Sequence, residues 1–213
     1  MNFLTDLVTF RASDVFNPWG EWDYYDFQRS PFAGAMRTRR LISHFSCNPR
    51  FLLIGEAPGY QGCRYSGVAF TSERLILAGA IPRVSTGGVR ITRMTEPLSE
   101  PSATIVWGAL HELNIAHEVV MFNAFPFHPH KPGEPHTNRT PTVAELKACA
   151  PILRGVLNHF SGVPVLALGR KAEWVLDRLN VKPAAVLRHP SMGGANQFRA
   201  GIRKFVEGAK IAC

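Results

Sequence analysis

The chain has 213 residues, enough for one well-buried domain and cramped for two. Its 46% hydrophobic and 19% charged content is that of a globular protein, and no apolar run reaches the ~20 residues that cross a bilayer. Twenty-four Lys and Arg against 16 Asp and Glu give a net charge of +8, which points to a polyanionic partner.

The N-terminal fifty residues read as a mostly helical cap, with an aromatic-rich patch (Asn17–Phe27) expected to cover one edge of the core. The opening MNFLTDLVTFRASD lacks a basic start followed by an apolar block, so it reads as a mature cytoplasmic start. Four short apolar runs follow: Phe51–Gly55, Val119–Ala124, Val163–Gly169 and Ala184–Pro190. Each is nearly continuous in Val, Leu, Ile and Ala, as strands covered on both faces are. Helical spacing fills the intervals Ser102–Ile115, Thr142–Phe160, Arg170–Leu179 and Asn196–Lys210. Thr142 and Glu145 form a capping-box pattern, and Pro151 predicts a kink or a division of that helix. The alternation implies an α/β fold: a three-layer α/β/α sandwich on a central, mainly parallel, four-stranded sheet, in a single domain over residues 1–213. Ile81–Ser102 and Pro126–Pro141 read as long loops at the strand-end face.

Ligands of open α/β sheets bind beyond the C-terminal strand ends. The first strand runs into Gly55-Glu56-Ala57-Pro58-Gly59, the second ends at Asn123, and the last ends at His189-Pro190-Ser191. The third, ending at Gly169, carries no chemistry-bearing residue of its own. Singly, each has a structural reading: Glu56 as a helix N-terminal charge, Asn123 as a loop anchor, His189 as a packed imidazole, Ser191 as a cap. Together, an acid, an amide, an imidazole and a hydroxyl converge on one sheet edge, which reads as a site.

These residues resemble a known family. G-E-A-P-G after the first strand, MFNAF with NRTPTVAEL (Asn138–Leu146) in the middle, and H-P-S after the last strand are similar to motifs of the uracil-DNA glycosylase superfamily. The nearest resemblance is to its iron–sulfur, thermophile-type branch, and it runs from about Phe51 to about Phe205. It implies hydrolysis of the bond between uracil and deoxyribose in DNA, leaving an abasic site for base excision repair. It casts Glu56 and His189 as catalytic, the first near the sugar and the second at the base carbonyl. Gly55, Phe70 and Asn123 become base-binding, with Phe70 stacking and Asn123 reading the base edge. Pro58, Gly59, Ser191, Met192, Gly193 and Arg199 become DNA-binding, with Met192 read either as a wedge that fills the hole left by the base or as a residue packed in its own loop. Gly194, Asn196 and Arg203 are further phosphate contacts, and the Arg83–Arg93 loop is a second DNA contact.

The chain departs from that branch at its cysteines. Cys47, Cys63, Cys149 and Cys213 include no C-x-x-C pair, and Phe127 stands where the branch has a ligand after the second strand. An iron–sulfur cluster needs four thiolates, so none is expected, nor any other metal or cofactor. A monomer suffices for work on one flipped base. Two other readings stay open: a glycosylase for hypoxanthine or xanthine, and a DNA-binding member without catalysis. A phosphate-binding domain unrelated to DNA rests on the glycines alone, since there is no G-x-G-x-x-G and no Walker lysine.

Overall fold

The computed structural model describes residues 3–27, 32–84 and 90–211. Six strands and eight α-helices are described within these segments: α1 (Phe3–Thr9), β1 (Val15–Phe16), α2 (Phe32–Phe45), β2 (Phe51–Gly55), α3 (Cys63–Ser66), α4 (Glu73–Leu77), α5 (Pro101–Glu112), β3 (Val119–Asn123), β4 (His128–Pro129), α6 (Val143–His159), β5 (Val165–Leu168), α7 (Arg170–Arg178), β6 (Ala185–Leu187) and α8 (Ala195–Ile211). The central sheet is parallel throughout, in the order β3-β2-β5-β6. This is the expected α/β sandwich.

Every residue of β2 and β3 is buried, which is why these strands read as unbroken apolar runs. The period of two still sorts them between two cores. Leu52, Ile54, Val120 and Phe122 pack with Leu153 and Val156 of α6 and Val175 and Leu176 of α7. Phe51, Leu53, Val119 and Met121 pack on the other face, with Trp107 and Leu110 of α5 and Phe198 and Ile202 of α8.

The capping box of α6 is present: Glu145 N donates to Thr142 Oγ1 at 3.2 Å, and Thr142 N donates to Glu145 Oε2 at 2.7 Å. Pro151 does not divide this helix, which runs unbroken from Val143 to His159. The ring lies on the solvent face, where water can take up the carbonyl that loses its partner, while Cys149, Ile152 and Leu153 keep the core face continuous.

The N-terminal segment is less helical than expected. Between α1 and α2 the described chain is irregular, and β1 pairs antiparallel with β4, inside what had read as a loop. The aromatic patch is also divided. Trp19 is a core residue, whereas Trp22, Tyr24 and Phe27 are exposed. The Ile81–Ser102 segment is not all surface loop, for Ile81, Val84 and Ile91 are buried; residues 85–89 lie outside the described residues.

Candidate active site

The registry of the sheet builds the site. Gly55 pairs with Asn123 at the C-terminal ends of β2 and β3. The pairing then extends beyond the strands: Ala124 N donates to Gly55 O at 2.8 Å and Phe125 N to Glu56 O at 2.9 Å. Glu56 is therefore held on a backbone that cannot swing, although it lies in a glycine- and proline-rich turn.

Gly55 is glycine for want of space. A Cβ there would sit 2.5 Å from Phe70 Cε2 and 2.7 Å from Asn123 Oδ1, well inside van der Waals contact. The Phe70 ring thus lies directly over the strand end, beside the Asn123 amide. Phe70 has φ +50°, a conformation an aromatic residue rarely adopts and one that costs of order 1–3 kcal/mol. The ring is held there by core packing, and it lies 6.0 Å from the His189 ring at 46°.

A cleft of about 600 Å³ is lined by Glu56, Phe70, Asn123 and His189, with Asn138 and Glu100 among its other walls. Asn123 Oδ1 is buried there without a hydrogen-bond partner. A buried acceptor left open costs on the order of 1–3 kcal/mol, so the amide is set for a donor on a ligand. A second cleft of about 630 Å³ shares Glu56, His189 and Ser191 with the first and adds Arg170, Lys171 and Arg188.

The two titrating groups at the junction are shifted in different directions. Burial raises the Glu56 carboxyl, while Lys171 and a Thr140 hydrogen bond work against that rise. Burial lowers the His189 imidazole, and Arg188 lowers it further, so the ring is neutral at neutral pH. Its tautomer follows from its neighbours. Ser191 N lies 3.2 Å from His189 Nδ1, and a backbone N–H can only donate. Nδ1 is therefore an acceptor, Ser191 Oγ lies against it at 2.7 Å, and Nε2 carries the proton as the free donor.

Lys171 supplies the first test of this electrostatics. If activity requires ionised Glu56, kcat/KM climbs with pH as that carboxyl loses its proton. Lys171→Met removes a cation that favours the carboxylate, so the acid limb of the profile should move to higher pH. An unmoved limb would mean that Glu56 does not set it.

Behind the cleft, a buried polar network fixes the loops. Arg64 Nη2 donates to Asp23 Oδ2 at 2.5 Å and Arg64 Nη1 lies 2.8 Å from His128 Nδ1. His128 Nε2 is 3.0 Å from Thr137 O and 3.2 Å from Asn138 Oδ1. Asn138 Oδ1 also accepts from Tyr60 N at 2.9 Å, which ties the Asn138 loop to the turn after Gly59. Burial alone would raise Asp23, yet Arg64 and the Tyr25 amide hold it below its ordinary value. Asp23→Asn would strand the Arg64 charge, and a broken buried pair costs about 3–5 kcal/mol. A thermal melt should show a drop of many degrees, and an unchanged melt would show that the network is not structural.

The expected site residues are distributed unevenly. Glu56, Pro58, Gly59, Phe70, Asn123, His189, Ser191 and Met192 all line the first cleft, and Gly55 forms the floor beneath Phe70. Met192 is 91% exposed beside it, with φ +51°, and Gly193 follows at φ +77°. Arg199 lines neither cleft; it lies on α8 with Nη1 2.6 Å from Glu112 Oε1. Within the Arg83–Arg93 loop, residues 85–89 lie outside the described residues and Arg93 lies over the Tyr24 ring. Arg83 donates to the carbonyls of His44, His117 and Val119, and Arg90 to Met94 O, which are structural tasks.

Two wall residues escaped the sequence reading. Glu100 precedes Pro101 at the start of α5 and caps no backbone N–H of that helix. Its carboxyl leans on the turn after Gly59 instead: the Gly62 Cβ position would be 2.6 Å from Glu100 Cδ, and Oε2 is buried without a partner. Burial pushes its pKa up to about 7. Lys171 follows the strand end that had looked featureless. Arg170 and Lys171 at the first turn of α7 oppose the helix dipole, and that mismatch was the available signal.

A family model described as the uracil DNA glycosylase superfamily matches residues 42–209. Among 32 matching chains of known structure is the crystal structure of wild-type SMUG2 from Pedobacter heparinus. It superposes with a TM-score of 0.66 at 17% identity, over 99% of this chain and 95% of that one. No curated protein matches the chain. The likeness to SMUG2 speaks for the fold, while the family match spans most of the sequence and every residue lining the first cleft. The chain belongs to the uracil DNA glycosylase superfamily.

Proposed function

We propose that the protein is a monofunctional DNA glycosylase that hydrolyses the N-glycosidic bond of a flipped-out uracil. The observation that carries this reading is the meeting of Glu56, Phe70, Asn123 and His189 in one cleft at the ends of three strands. Superfamily membership supports the general class, base release from DNA.

The chemistry follows from the geometry. The bond between C1′ and the base nitrogen breaks with its electron pair leaving on the base, so the sugar becomes cationic and the base anionic. Glu56, as carboxylate, steadies the cation and orients the water whose oxygen bonds to C1′, taking up the proton that water releases. His189 Nε2–H donates to the base carbonyl oxygen that gains charge. A neutral imidazole suits that role, since it donates without needing to be protonated at neutral pH. Phe70 receives the face of the base, and Asn123 pairs with its edge. Arg170, Lys171 and Arg188 in the second cleft then face the phosphates of the strand, and Ser191, Met192 and Gly193 lie where the duplex opens.

We propose further that this is a cluster-free branch. Phe127, at the place of a cluster cysteine, is buried and stacked on Phe10 with centroids 4.2 Å apart, and Cys149 is sealed in the apolar core of α6. These residues do not fit an iron–sulfur cluster, and no step of the reaction is drawn through one.

A second reading has its own support. Asn123 Oδ1 and Glu100 Oε2 both lack a hydrogen-bond partner at the cleft, which suits xanthine, whose two ring N–H groups are one more than uracil or hypoxanthine offers. The test is abasic-site formation, read by alkaline cleavage, on strands carrying uracil, hypoxanthine or xanthine. Cleavage at uracil supports the first reading, cleavage only at a deaminated purine replaces it with the second, and binding without any cleavage leaves a DNA-binding member.

A further inference from the structure

Helix α2 buries a cation that no described residue answers. Arg40 is 2% exposed, and its Nε, Nη1 and Nη2 all lie buried without a hydrogen-bond partner. Burial lowers its pKa to about 10, with Glu73 working against that fall and Arg37 adding to it, so the guanidinium is charged at neutral pH. A buried charge is costly unless it is paired and hydrogen-bonded.

The acids of this region are already committed. Asp26 pairs with Arg37 and Asp23 with Arg64. Glu73, whose field reaches Arg40, has no acceptor to spare. Its Oε1 accepts from Ile91 N at 2.9 Å and Thr92 N at 3.1 Å, and its Oε2 from Thr92 Oγ1 at 2.5 Å and Arg90 Nη2 at 3.4 Å. Glu100 is raised by burial with no cation acting on it, so it does not serve Arg40. The stretches 28–31 and 85–89 read QRSP and STGGV and add no acid to the tally.

Two further donors are left open beside this charge. His44 lies one turn beyond Arg40 on the buried face of α2. Met121 N donates to His44 Nε2 at 2.8 Å, so Nε2 accepts and Nδ1 carries the proton, buried and without a partner. Ser72 Oγ, next to Glu73, is buried and unpartnered too. The His44 ring lies 6.2 Å from the Trp107 ring, and Trp107 Nε1 donates to Thr71 Oγ1 at 3.1 Å, so α2 and the Thr71–Glu73 segment meet here.

We propose that Arg40, with His44 and Ser72, holds a small monovalent anion of the halide class between α2 and the Thr71–Glu73 segment. The sign follows from the donors, which have one positive charge among them and lack acceptors. The size follows from their burial, which shuts out a large polyatomic ion. Arg40 lines neither cleft, so the site stands apart from the chemistry at Glu56. Phe70 directly precedes the segment, so the ion braces the chain that carries this ring over Gly55.

The test is thermal melting of the full chain at constant ionic strength, with gluconate, too large for the site, exchanged for chloride. The wild-type midpoint should rise by about 5–10 °C once chloride exceeds its dissociation constant about 100-fold. Arg40→Met keeps an apolar side chain in place without the charge. It should melt at or above wild type in gluconate and stay there in chloride. A wild-type midpoint that ignores chloride overturns the site, and so does a rise that Arg40→Met shares. A variant less stable than wild type in both salts would show a guanidinium satisfied by the protein itself, and would also overturn it. Crystals of the wild type soaked in bromide decide the matter if Arg40→Met does not fold. An anomalous peak within hydrogen-bond reach of the Arg40 guanidinium is the expected result, and a water or a carbonyl oxygen there without bromide is the contrary one.

Discussion

Replacing Glu56 with glutamine should lower base release by about 10²–10⁴-fold, the usual worth of a positioned acid or base, while DNA affinity stays near that of the wild type. The amide keeps the shape of the side chain and loses the charge that would face the sugar cation. Stability should hold or rise slightly. Burial raises the Glu56 carboxyl, so the folded state carries an ionised group it would solvate better outside, and glutamine removes that penalty. Single-turnover kinetics and a thermal melt on the same preparation check both halves. A variant that is less stable and fully active would place Glu56 in the structure and not in the chemistry.

Gly55→Ala should be nearly as damaging to activity by a different route. The added methyl would meet Phe70 Cε2 at 2.5 Å and Asn123 Oδ1 at 2.7 Å. Neither neighbour can yield easily, since Phe70 is packed in the core at φ +50° and Asn123 ends a fully buried strand. Both must shift, and a displacement of about 1 Å at a positioning residue can cost about 100-fold in rate. Overpacking of this kind costs about 1–3 kcal/mol of stability, so the variant should fold with a lower melting temperature. Base release at the wild-type rate would show that Phe70 and Asn123 do not receive the base.

Much of this site was legible in the sequence because strands announce their ends. Apolar runs that stop at Gly55, Asn123 and His189 locate three positions that meet at the cleft, since a parallel sheet aligns its C-terminal ends by construction. What stayed hidden depended on side-chain reach across the fold. Glu100 lies 44 residues past Glu56, and nothing in S-E-P-S reveals that its carboxyl turns away from its own helix to lean on Gly62. The contacts of Arg83 and Arg90 were hidden for another reason. Arg83 and Arg90 look like surface charge in the sequence, and the structure uses their planar donors to satisfy carbonyls that the irregular segments leave open. The aromatic patch Asn17–Phe27 held both kinds of residue in one stretch. The antiparallel pairing with residues 91–93 that sorts them comes from a partner too distant in sequence to anticipate.

One cleft combines side chains that are placed in two different ways. Asn123 and Phe70 are placed by β-sheet registry and core packing, whereas Glu56 and His189 are placed by backbone pairing and by the turn at Ser191. The groups proposed to receive the base therefore belong to the rigid core, and those proposed to react stand at its rim.

The most direct measurement is the intact mass of a single-stranded oligonucleotide carrying one uracil, before and after incubation with the wild-type protein. Hydrolysis replaces the base by a hydroxyl, so the strand should lose the mass of uracil and gain that of water, with free uracil appearing in equal amount. An unchanged mass, with the strand bound, would contradict the assignment of this cleft to uracil release.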